Sequence, residues 1–237
     1  MLVTGSKNRN SDRSKGLSIR LWQGGQSFCE PLPTLTSAPQ SVRLVIEGVD
    51  CVAFPRAIAE QVNVEELLRS EGVVVSEGEE VVVACDQSPL CYALKVNSGL
   101  LEEAREWATQ WGLELTYATP LAASVRRAVV GGRRKRALAL QFGRGEVYVA
   151  LAAEGQLLFA EAVIVENEES LLQLMSVLNG DFDLRKADLF VSGVDGKMRT
   201  KWLGRYFRHC KWEKEWADVY NKRYRRRVEN ENYQRKI

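Results

Sequence analysis

The sequence predicts an α/β protein built from two halves that share one order of secondary-structure elements. Its 237 residues are enough for two small domains, each with a core of its own. Apolar residues make up 45% of the chain and charged residues 27%, a balance typical of globular proteins that excludes a wholly disordered chain. Each half is interpreted as three strands, then a helix, a strand and a second helix. Because the halves share little sequence identity, this order indicates a duplicated topology rather than a short solenoid repeat.

The first half, residues 17–130, opens with two short strand patterns. The segments "LSIRLW" and "SFCEP" flank "QGGQ", and Gly24 and Gly25 form the kind of corner that hairpins favour. A third strand, "SVRLVIEG", follows a proline-rich loop and is expected to complete a three-stranded antiparallel meander. The segment "FPRAIAEQV" is predicted to be a helix with Pro55 in its first turn, and "NVEELLRS" is predicted to be a helix capped by its Asn.

The remainder of the first half alternates strands with helices. Strands are predicted at "EEVVVACD", "CYALKVN" and "LELTYA", and helices at "SGLLEEAREWATQWG" and "TPLAASVRRAVV". Gly112 is expected to end the first of these helices, since glycine tolerates the left-handed conformation found just after a helix. The polar, basic residues 131–135 are predicted to connect the two halves.

The second half, residues 136–212, repeats the pattern. Three strands are predicted between residues 136 and 165, and "ESLLQLMSVLN" places its apolar residues at helical spacing. The segment "ADLFVSG" is predicted to be a strand, and a last helix is predicted near "MRTKWLGRYFRH". The order of three strands, helix, strand and helix therefore recurs after the connector.

The ends and the overall charge limit the possible partners. Residues 1–16 are expected to be a disordered polar lead without the apolar core of a signal peptide, and no apolar run of about 18 residues predicts a membrane span. The formal charge of +2, from 33 basic and 31 acidic residues, gives the whole molecule no field that would draw it to nucleic acid or an anionic membrane. We predict a cytoplasmic protein whose oligomeric state the sequence leaves open.

The cysteine and histidine content argues against metal and hydrolase chemistry. Five cysteines, an odd number lying mostly in apolar runs, are expected to be reduced and buried: Cys29, Cys51, Cys85, Cys91 and Cys210. A zinc site would need tighter spacing or more histidine than the single His209. His209 falls late in the last predicted helix and is expected to be a surface or interface residue, which makes a Ser-His-Asp or Cys-His hydrolase hard to sustain.

Three antiparallel strands followed by crossover helices and parallel strands resemble the ribonuclease-H-like subdomains of the actin, hexokinase and Hsp70 superfamily. Residues 17–212 resemble an uncharacterised bacterial family, found mainly in Bacteroidetes and known as domain of unknown function 3822. The matching stretches are "LSIRLWQGGQSFCEP", "VAFPRAIAE", "LLFAEAVIVENEESLLQLMSVLN" and "ADLFVSGVDG". The superfamily also includes cytoplasmic assembly proteins of type IV pili and type II secretion, some of which bind ATP. The resemblance implies two ribonuclease-H-like lobes with a cleft between them.

The loops that hold nucleotide in this superfamily are altered in this sequence. The first phosphate loop carries an Asp in the superfamily, but "IRLWQGGQS" has Arg20 and no acid. In the second loop, "LQFGRGE", Gln141 takes the place of Asp before Gly143, and the adenosine loop "LFVSGVDG" has Gly193 followed by Val194. The predicted vestigial nucleotide cleft therefore contains Arg20, Gly24, Gly25, Gln141, Gly143 and Gly193.

These glycines are open to a simpler interpretation, because hairpin and strand-end turns need positive φ or close chain approach. Glu146 and Asp195 stand beside the turns, where they could replace the lost metal ligands, but we interpret them as solvated carboxylates. We expect a cationic, acid-free cleft with no catalytic residue, no metal and no obligatory cofactor, although weak ATP binding stays open.

The C-terminal tail, residues 213–237, is predicted to be basic and partly helical. It combines apolar-aromatic residues at helical spacing with a basic run, which makes candidate contacts of Trp216, Tyr220, Tyr224, Arg225, Arg226 and Arg227. The aromatic stripe could pack on its own lobe or dock a protein partner, and the basic run could hold a nucleic-acid backbone.

Three functions remain open from the sequence. The favoured one is a non-catalytic binding or scaffold protein with a protein partner. The second is an active ATP-dependent protein with relocated ligands, and the third is a nucleic-acid-binding module acting through the tail.

Overall fold

The computed structural model describes residues 17–24, 26–29, 42–85, 89–133 and 135–214. Within these ranges the chain forms five α-helices and twelve strands, and the strands are arranged in three sheets. The predicted lead, Gly25 and the six tail residues chosen as candidate contacts lie outside the described residues. No helix within the described ranges is both long and apolar enough to cross a bilayer.

The first sheet contains the N-terminal strands in the order β2–β1–β3–β7. Its strands are β1 (Leu17–Gly24), β2 (Gln26–Cys29), β3 (Val42–Glu47) and β7 (Leu115–Ala118). β1 and β2 are antiparallel, whereas β3 runs parallel to β1 and β7 runs parallel to β3. The sheet is therefore mixed, with β1 and β3 at its centre.

The first half was predicted to open with a three-stranded antiparallel meander, and for the residues that the structure describes this prediction is wrong. β3 was expected to pair antiparallel in that meander, yet its Val42 lies opposite Leu17 in a parallel ladder. Twelve residues, 30–41, separate β2 from β3 in the sequence. A connection of about a dozen residues is what a parallel crossover requires, while antiparallel neighbours are joined by much shorter loops.

A second, three-stranded antiparallel sheet is inserted into the first half, in the order β4–β6–β5. Its strands are β4 (Cys51–Pro55), β5 (Glu79–Cys85) and β6 (Leu90–Asn97). The predicted helix at "FPRAIAEQV" is wrong, because Pro55 is the last residue of β4 and only a single 3-10 turn, Arg56–Ile58, follows it. Pro55 pairs with Leu90 at the end of the edge strand β4, a position where a missing N–H is tolerated.

Three capped helices complete the first half. They are α1 (Val64–Ser70), α2 (Ser98–Gln110) and α3 (Pro120–Gly131). The side chains of Asn63, Asn97 and Thr119 accept hydrogen bonds from the first backbone N–H groups of these helices, as helix caps do. Gly112, with φ of 64°, follows the end of α2 as predicted.

The third sheet belongs to the second half and has the order β10–β9–β8–β11–β12. Its strands are β8 (Arg136–Phe142), β9 (Glu146–Ala153), β10 (Gln156–Ile164), β11 (Ala187–Gly193) and β12 (His209–Trp212). β8, β9 and β10 form the predicted antiparallel meander, and β11 and β12 are added in parallel. This is the strand order of a ribonuclease-H-like sheet.

Two helices pack on the third sheet, and the second is shorter than predicted. They are α4 (Glu168–Phe182), capped by Asn167, and α5 (Gly196–Leu203). The predicted continuation of the last helix to His209 is wrong, because α5 ends before Gly204 and His209 begins β12 with an exposed side chain. Cys210 then packs against the core, and its thiol donates to the Thr200 carbonyl oxygen of α5 at 3.5 Å.

The helix α3 lies between the two halves and packs on both. Leu121 and Ala122, near its N-terminus, belong to the core of the first half. Its central residues pack on small side chains of the third sheet, namely Ala137, Ala139, Ala150 and Ala152. Alanine on the sheet lets the helix approach closely, and at the C-terminal end of α3 a Cβ atom on Gly132 would stand 2.9 Å from the carbonyl oxygen of Ala152.

An ion pair ties α3 to the end of the third sheet. The Arg127 guanidinium donates to both carboxylate oxygens of Glu213, at 2.5 and 2.8 Å, and lies over the ring of Phe190. Burial opposes the charge on Glu213, but Arg127 and then Lys211 outweigh it and lower the pKa of the carboxyl. The bidentate geometry and partial burial make this pair stronger than an ordinary surface salt bridge.

The expectation that all five cysteines are reduced is wrong for one pair. Cys85 and Cys91 lie directly opposite each other on β5 and β6 and form a disulfide. Cys51 and Cys210 carry free thiols. The sequence separation of six residues resembled no ligand motif, and only the hairpin register brings the two sulfur atoms together.

We predict opposite effects for two glycine substitutions. Gly132→Ala should lower the free energy of unfolding by about 1–3 kcal/mol, because the added methyl group meets the backbone of Ala152. Gly180→Ala, in the exposed part of α4 with no atom within 4 Å, should raise that free energy by up to about 1 kcal/mol. Urea titrations of both variants measure the two changes. An equal effect of the two substitutions would contradict close packing of α3 on the sheet.

We also predict a redox-dependent stability. Replacing Cys85 and Cys91 together by Ser should lower the free energy of unfolding by about 2 kcal/mol in non-reducing buffer, as expected for a short disulfide loop. A phosphine reductant should destabilise the wild-type protein by a similar amount and leave the double variant unchanged. If the reductant lowered the melting temperature of both proteins equally, another thiol would be responsible.

Candidate functional site

Gln141, the residue that replaces the expected Asp, lies at the end of β8 in a buried position. Its side chain is 4% exposed, and its register partners are Tyr148 on β9 and Ser192 on β11. Paired residues of adjacent strands point to the same face of a sheet, and this face is the one that carries α3. The row of Tyr148, Gln141 and Ser192 therefore faces the junction between the halves.

The turn after β8 is filled by a carboxylate from the chain itself. The Gly143 N–H donates to the Glu146 carbonyl oxygen at 2.9 Å, which closes the turn. The Glu146 side chain lies against the Cα atom of Gly143, where any larger residue at 143 would overlap its carboxylate. Glu146 is only 4% exposed, so the interpretation of this residue as a solvated carboxylate is wrong.

Tyr148 joins the two halves through its hydroxyl group. Its ring is fully buried in the core of the first half, although the residue belongs to β9 of the second half. The Gly48 N–H, just after β3, donates to the Tyr148 hydroxyl oxygen at 2.7 Å. The same hydroxyl donates to Glu146 Oε1 at 2.9 Å. The sequence Gly48, Tyr148, Glu146 is thus a continuous hydrogen-bonded chain from one half to the turn of the other.

The electrostatic environment keeps Tyr148 protonated. Burial, and then the negative charge of Glu146 with a smaller effect from Glu47, raise the pKa of its phenol well above the ordinary value. Glu47, the last residue of β3, is itself 4% exposed. The expectation of a cationic, acid-free cleft is therefore wrong, because two buried carboxylates face the junction.

Two polar atoms beside this chain have no hydrogen-bond partner among the described residues. They are Gln141 Oε1 and Ser192 Oγ, on neighbouring strands and nearly or fully buried. Buried polar atoms without partners are uncommon and carry a cost of about 1–3 kcal/mol each. Gln141 thus lies beside the Tyr148 hydrogen-bonded chain, and its side-chain oxygen takes no part in that chain.

The third predicted loop is shaped by close backbone approach. Gly193, with φ of 87°, ends β11 so near β8 that a side chain would overlap the Phe142 carbonyl group. The next N–H, of Val194, donates to that carbonyl at 2.9 Å. Asp195 is exposed and makes no side-chain cap bond to α5, in agreement with its interpretation as solvated.

The predicted residues fall into two groups. Gln141, Gly143 and Gly193 come together at the ends of β8 and β11. Arg20 and Gly24 belong to β1, where Gly24 pairs with Gln26 at the hairpin end, and only their backbone is described. In the ranges the structure covers, no three His, Cys, Asp or Glu side chains form a metal cluster.

A separate open groove of about 620 Å³ lies on the surface of the first half, between β5 and α2. Its lining includes Glu80 and Arg105, which form an ion pair at 3.0 Å. The groove contains none of the predicted site residues.

The residues that build the junction, namely Glu47, Gly48 and Tyr148, were not predicted from the sequence. One signal was available, since Tyr148 interrupts the aliphatic strand "EVYVALAA" and a buried tyrosine hydroxyl needs a partner. The partner itself, a backbone N–H one hundred residues away, has no sequence signature.

We predict that Tyr148→Phe lowers the free energy of unfolding by about 1–3 kcal/mol, because it removes the hydroxyl between the Gly48 N–H and the Glu146 carboxylate. Tyr206→Phe is the matched control, since Tyr206 is 53% exposed, and should change the free energy by less than about 0.5 kcal/mol. Denaturant titration of the three proteins measures both values. Equal stability of the Tyr148→Phe variant and the wild-type protein would contradict the bridge.

The stability difference between wild-type protein and Tyr148→Phe should also depend on pH. The folded-state pKa of Tyr148 lies above the ordinary value of 10.0, so the folded protein holds the phenol proton more tightly than the unfolded chain does. This stabilisation is complete below pH 10 and is lost as the pH rises from there toward the folded-state pKa. Titrations from pH 7 to 11 should therefore show the difference constant at first and narrowing above about pH 10.

Comparison with known proteins identifies the fold. No protein-family model and no curated protein matches the chain. A solved protein of actin-like ATPase fold and unknown function from Bacteroides thetaiotaomicron VPI-5482 superimposes with a TM-score of 0.65 and 14% identity, over 88% of this chain and 94% of that one. At this identity the likeness concerns the fold alone.

Two further solved structures are more distant. The PilM–PilN type IV pilus biogenesis complex gives a TM-score of 0.44 at 11% identity, over 83% of each chain. The cytoplasmic domain of EpsL, an inner-membrane component of the type II secretion system of Vibrio cholerae, gives 0.36 at 15% identity, over 76% of this chain and 82% of that one. At TM-scores this low, neither structure supports an assignment of the fold. Membership of domain of unknown function 3822 stays a prediction, whereas the predicted two-lobed, actin-like ATPase fold is confirmed.

Proposed function

We propose that this chain is a non-catalytic binding or scaffold protein of the cytoplasm, which keeps the actin-like ATPase fold without hydrolysing ATP. The observation that carries the proposal is the hydrogen-bonded chain of Gly48, Tyr148 and Glu146. It fills the turn after β8 with a protein carboxylate, at the place where the predicted second phosphate loop lies.

The residues at this turn do not fit Mg-ATP. Phosphoryl transfer depends on positioning and on neutralising phosphate charge, much of it through Mg²⁺ held by carboxylates. Gln141 is neutral and brings no charge to hold the ion. Glu146 lies against Gly143, so its carboxylate stands where a phosphate would have to approach the turn.

We propose a protein as the partner. The support is the predicted tail, whose Trp216, Tyr220 and Tyr224 combine with a basic run in the manner of residues enriched at protein interfaces. Nucleic acid is the alternative ligand for the same basic run and rests on sequence alone.

An ATP-dependent protein with relocated ligands is the second candidate function. It is favoured by one specific observation, the two buried carboxylates of Glu47 and Glu146 near Tyr148. A metal ion held there by Glu146 would have to share the carboxylate with the Tyr148 hydroxyl and fit beside Gly143.

Phosphate release in excess Mg-ATP tests the proposal directly. We expect no turnover above a protein-free control from the wild-type chain or from Gln141→Ala, and no shift of the melting temperature by Mg-ATP. The Gln141→Asp variant, which restores a carboxylate, is also expected to release no phosphate above the control, because Glu146 still fills the turn.

Two variants with the same chemical change decide between the candidate functions. Glu146→Gln removes the buried carboxylate, and Glu161→Gln removes an exposed one on β10. Wild-type turnover that disappears in Glu146→Gln or Gln141→Ala but survives in Glu161→Gln would overturn the proposal and establish a rewired active site.

A further inference from the structure

The positive charge of the chain is concentrated in its C-terminal part. Residues 195–237 carry fourteen basic and six acidic side chains, whereas residues 1–194 carry nineteen basic and twenty-five acidic ones. The overall charge of +2 therefore hides an acidic body and a basic C-terminal region. Such asymmetry along the sequence favours an anionic partner for the C-terminal region.

Within the described residues, the basic region forms the outward side of α5 and the adjoining strand β12. Its exposed cations are Lys197, Lys201, Arg205, Arg208 and Lys214, whereas Lys211 pairs with Glu213 on the face of the sheet that carries α3. Asp195 and Glu213 are the acids in this segment, and Glu213 is already paired with Arg127. Lys197 and Lys201 form no ion pair with any residue the structure describes.

Large apolar side chains stand among these cations. Met198 is 64% exposed, Tyr206 is 53% exposed and Trp212 is 39% exposed. Trp202, one helical turn beyond Met198, packs edge-on against the ring of Tyr206, so these three side chains form a row along α5 and the turn that follows it. Trp212 lies over the first turn of the helix, within contact distance of Gly196. We call this set of cations and apolar side chains the α5 surface.

The geometry points to an anionic bilayer as the ligand, and we propose that the α5 surface docks the protein onto acidic lipid headgroups. Lysine and arginine attract anionic headgroups, tyrosine and tryptophan favour the interfacial region, and an exposed methionine can enter the apolar boundary. Nucleic acid would use the cations and the rings but gains little from Met198. Single-stranded nucleic acid is also held in grooves, whereas these side chains stand on the outer side of a helix.

The sequence beyond Lys214 extends the same chemistry. Residues 215–237 include seven basic side chains and start directly after the described end of the α5 surface. Membrane attachment by one weak element is marginal, and a second basic segment in the same chain raises the affinity. The proposal is independent of the proposed lack of ATP hydrolysis, because docking requires no nucleotide.

Co-sedimentation of the full chain with lipid vesicles tests the proposal. We expect binding to vesicles of phosphatidylcholine with about one-third phosphatidylglycerol, little binding to phosphatidylcholine alone, and weakening at about 0.5 M salt. Lys197→Glu with Lys201→Glu should weaken binding at least about thirtyfold, since each basic residue near an anionic surface strengthens binding about fivefold. Met198→Gln, which leaves the charge unchanged, should weaken it about tenfold.

A matched control variant separates the effect of charge on the α5 surface from the effect of the overall charge on vesicle binding. Arg69→Glu with Arg185→Glu makes the same charge change at exposed positions on α1 and next to α4, and should leave vesicle binding within about twofold of wild type. Absence of wild-type binding to the anionic vesicles would overturn the proposal, as would an equal loss in the control variant. A labelled single-stranded oligonucleotide that binds more tightly than the vesicles, with no effect of Met198→Gln, would reassign the α5 surface to nucleic acid.

Discussion

The burial of Tyr148 is the interaction on which the rest of this structure depends. Tyr148 belongs to β9 of the second half, but its side chain packs in the core of the first half. Tyr148 can reach Gly48 only because α3 holds the two halves close, and α3 can lie so close only because the third sheet presents alanine beneath it. Ser124 of α3 donates to the backbone carbonyl of Tyr148 itself at 3.0 Å, so helix, strand and junction form one buried unit. Loosening any of these contacts would loosen the others.

The same junction is filled by side chains of the protein itself. In an actin-like fold the ends of the central strands surround the space between the lobes, and here those ends supply Glu47, Glu146 and Tyr148. The carboxylates are engaged by the protein and shielded from water, which favours a closed junction over a cleft that exchanges ligand. The α5 surface lies elsewhere, on the outer side of the third sheet, so docking and junction closure can operate separately.

Local signals were sufficient for much of this fold. The side-chain cap at Asn63 marked a helix start, and apolar runs separated by tight turns marked the meander of β8 to β10. What failed depends on distant residues. The parallel pairing of β3, the disulfide of Cys85 with Cys91 and the burial of Glu146 are all decided by tertiary neighbours that leave no periodic pattern. Gln141 was identified from its loop, but the carboxylate that fills the turn belongs to Glu146, five residues further along the chain.

Hydrogen exchange of the Gly48 amide, followed by NMR with and without excess Mg-ATP, tests the closed junction most directly. Its N–H donates to the hydroxyl of Tyr148 from a position just beyond the end of β3, so its protection reports the bridge itself. A closed junction predicts that Gly48 exchanges as slowly as amides of the β8–β9 core and that Mg-ATP leaves its rate unchanged. Exchange near the rate of an unprotected amide, or a change in protection on adding Mg-ATP, would contradict a junction sealed by the protein's own side chains.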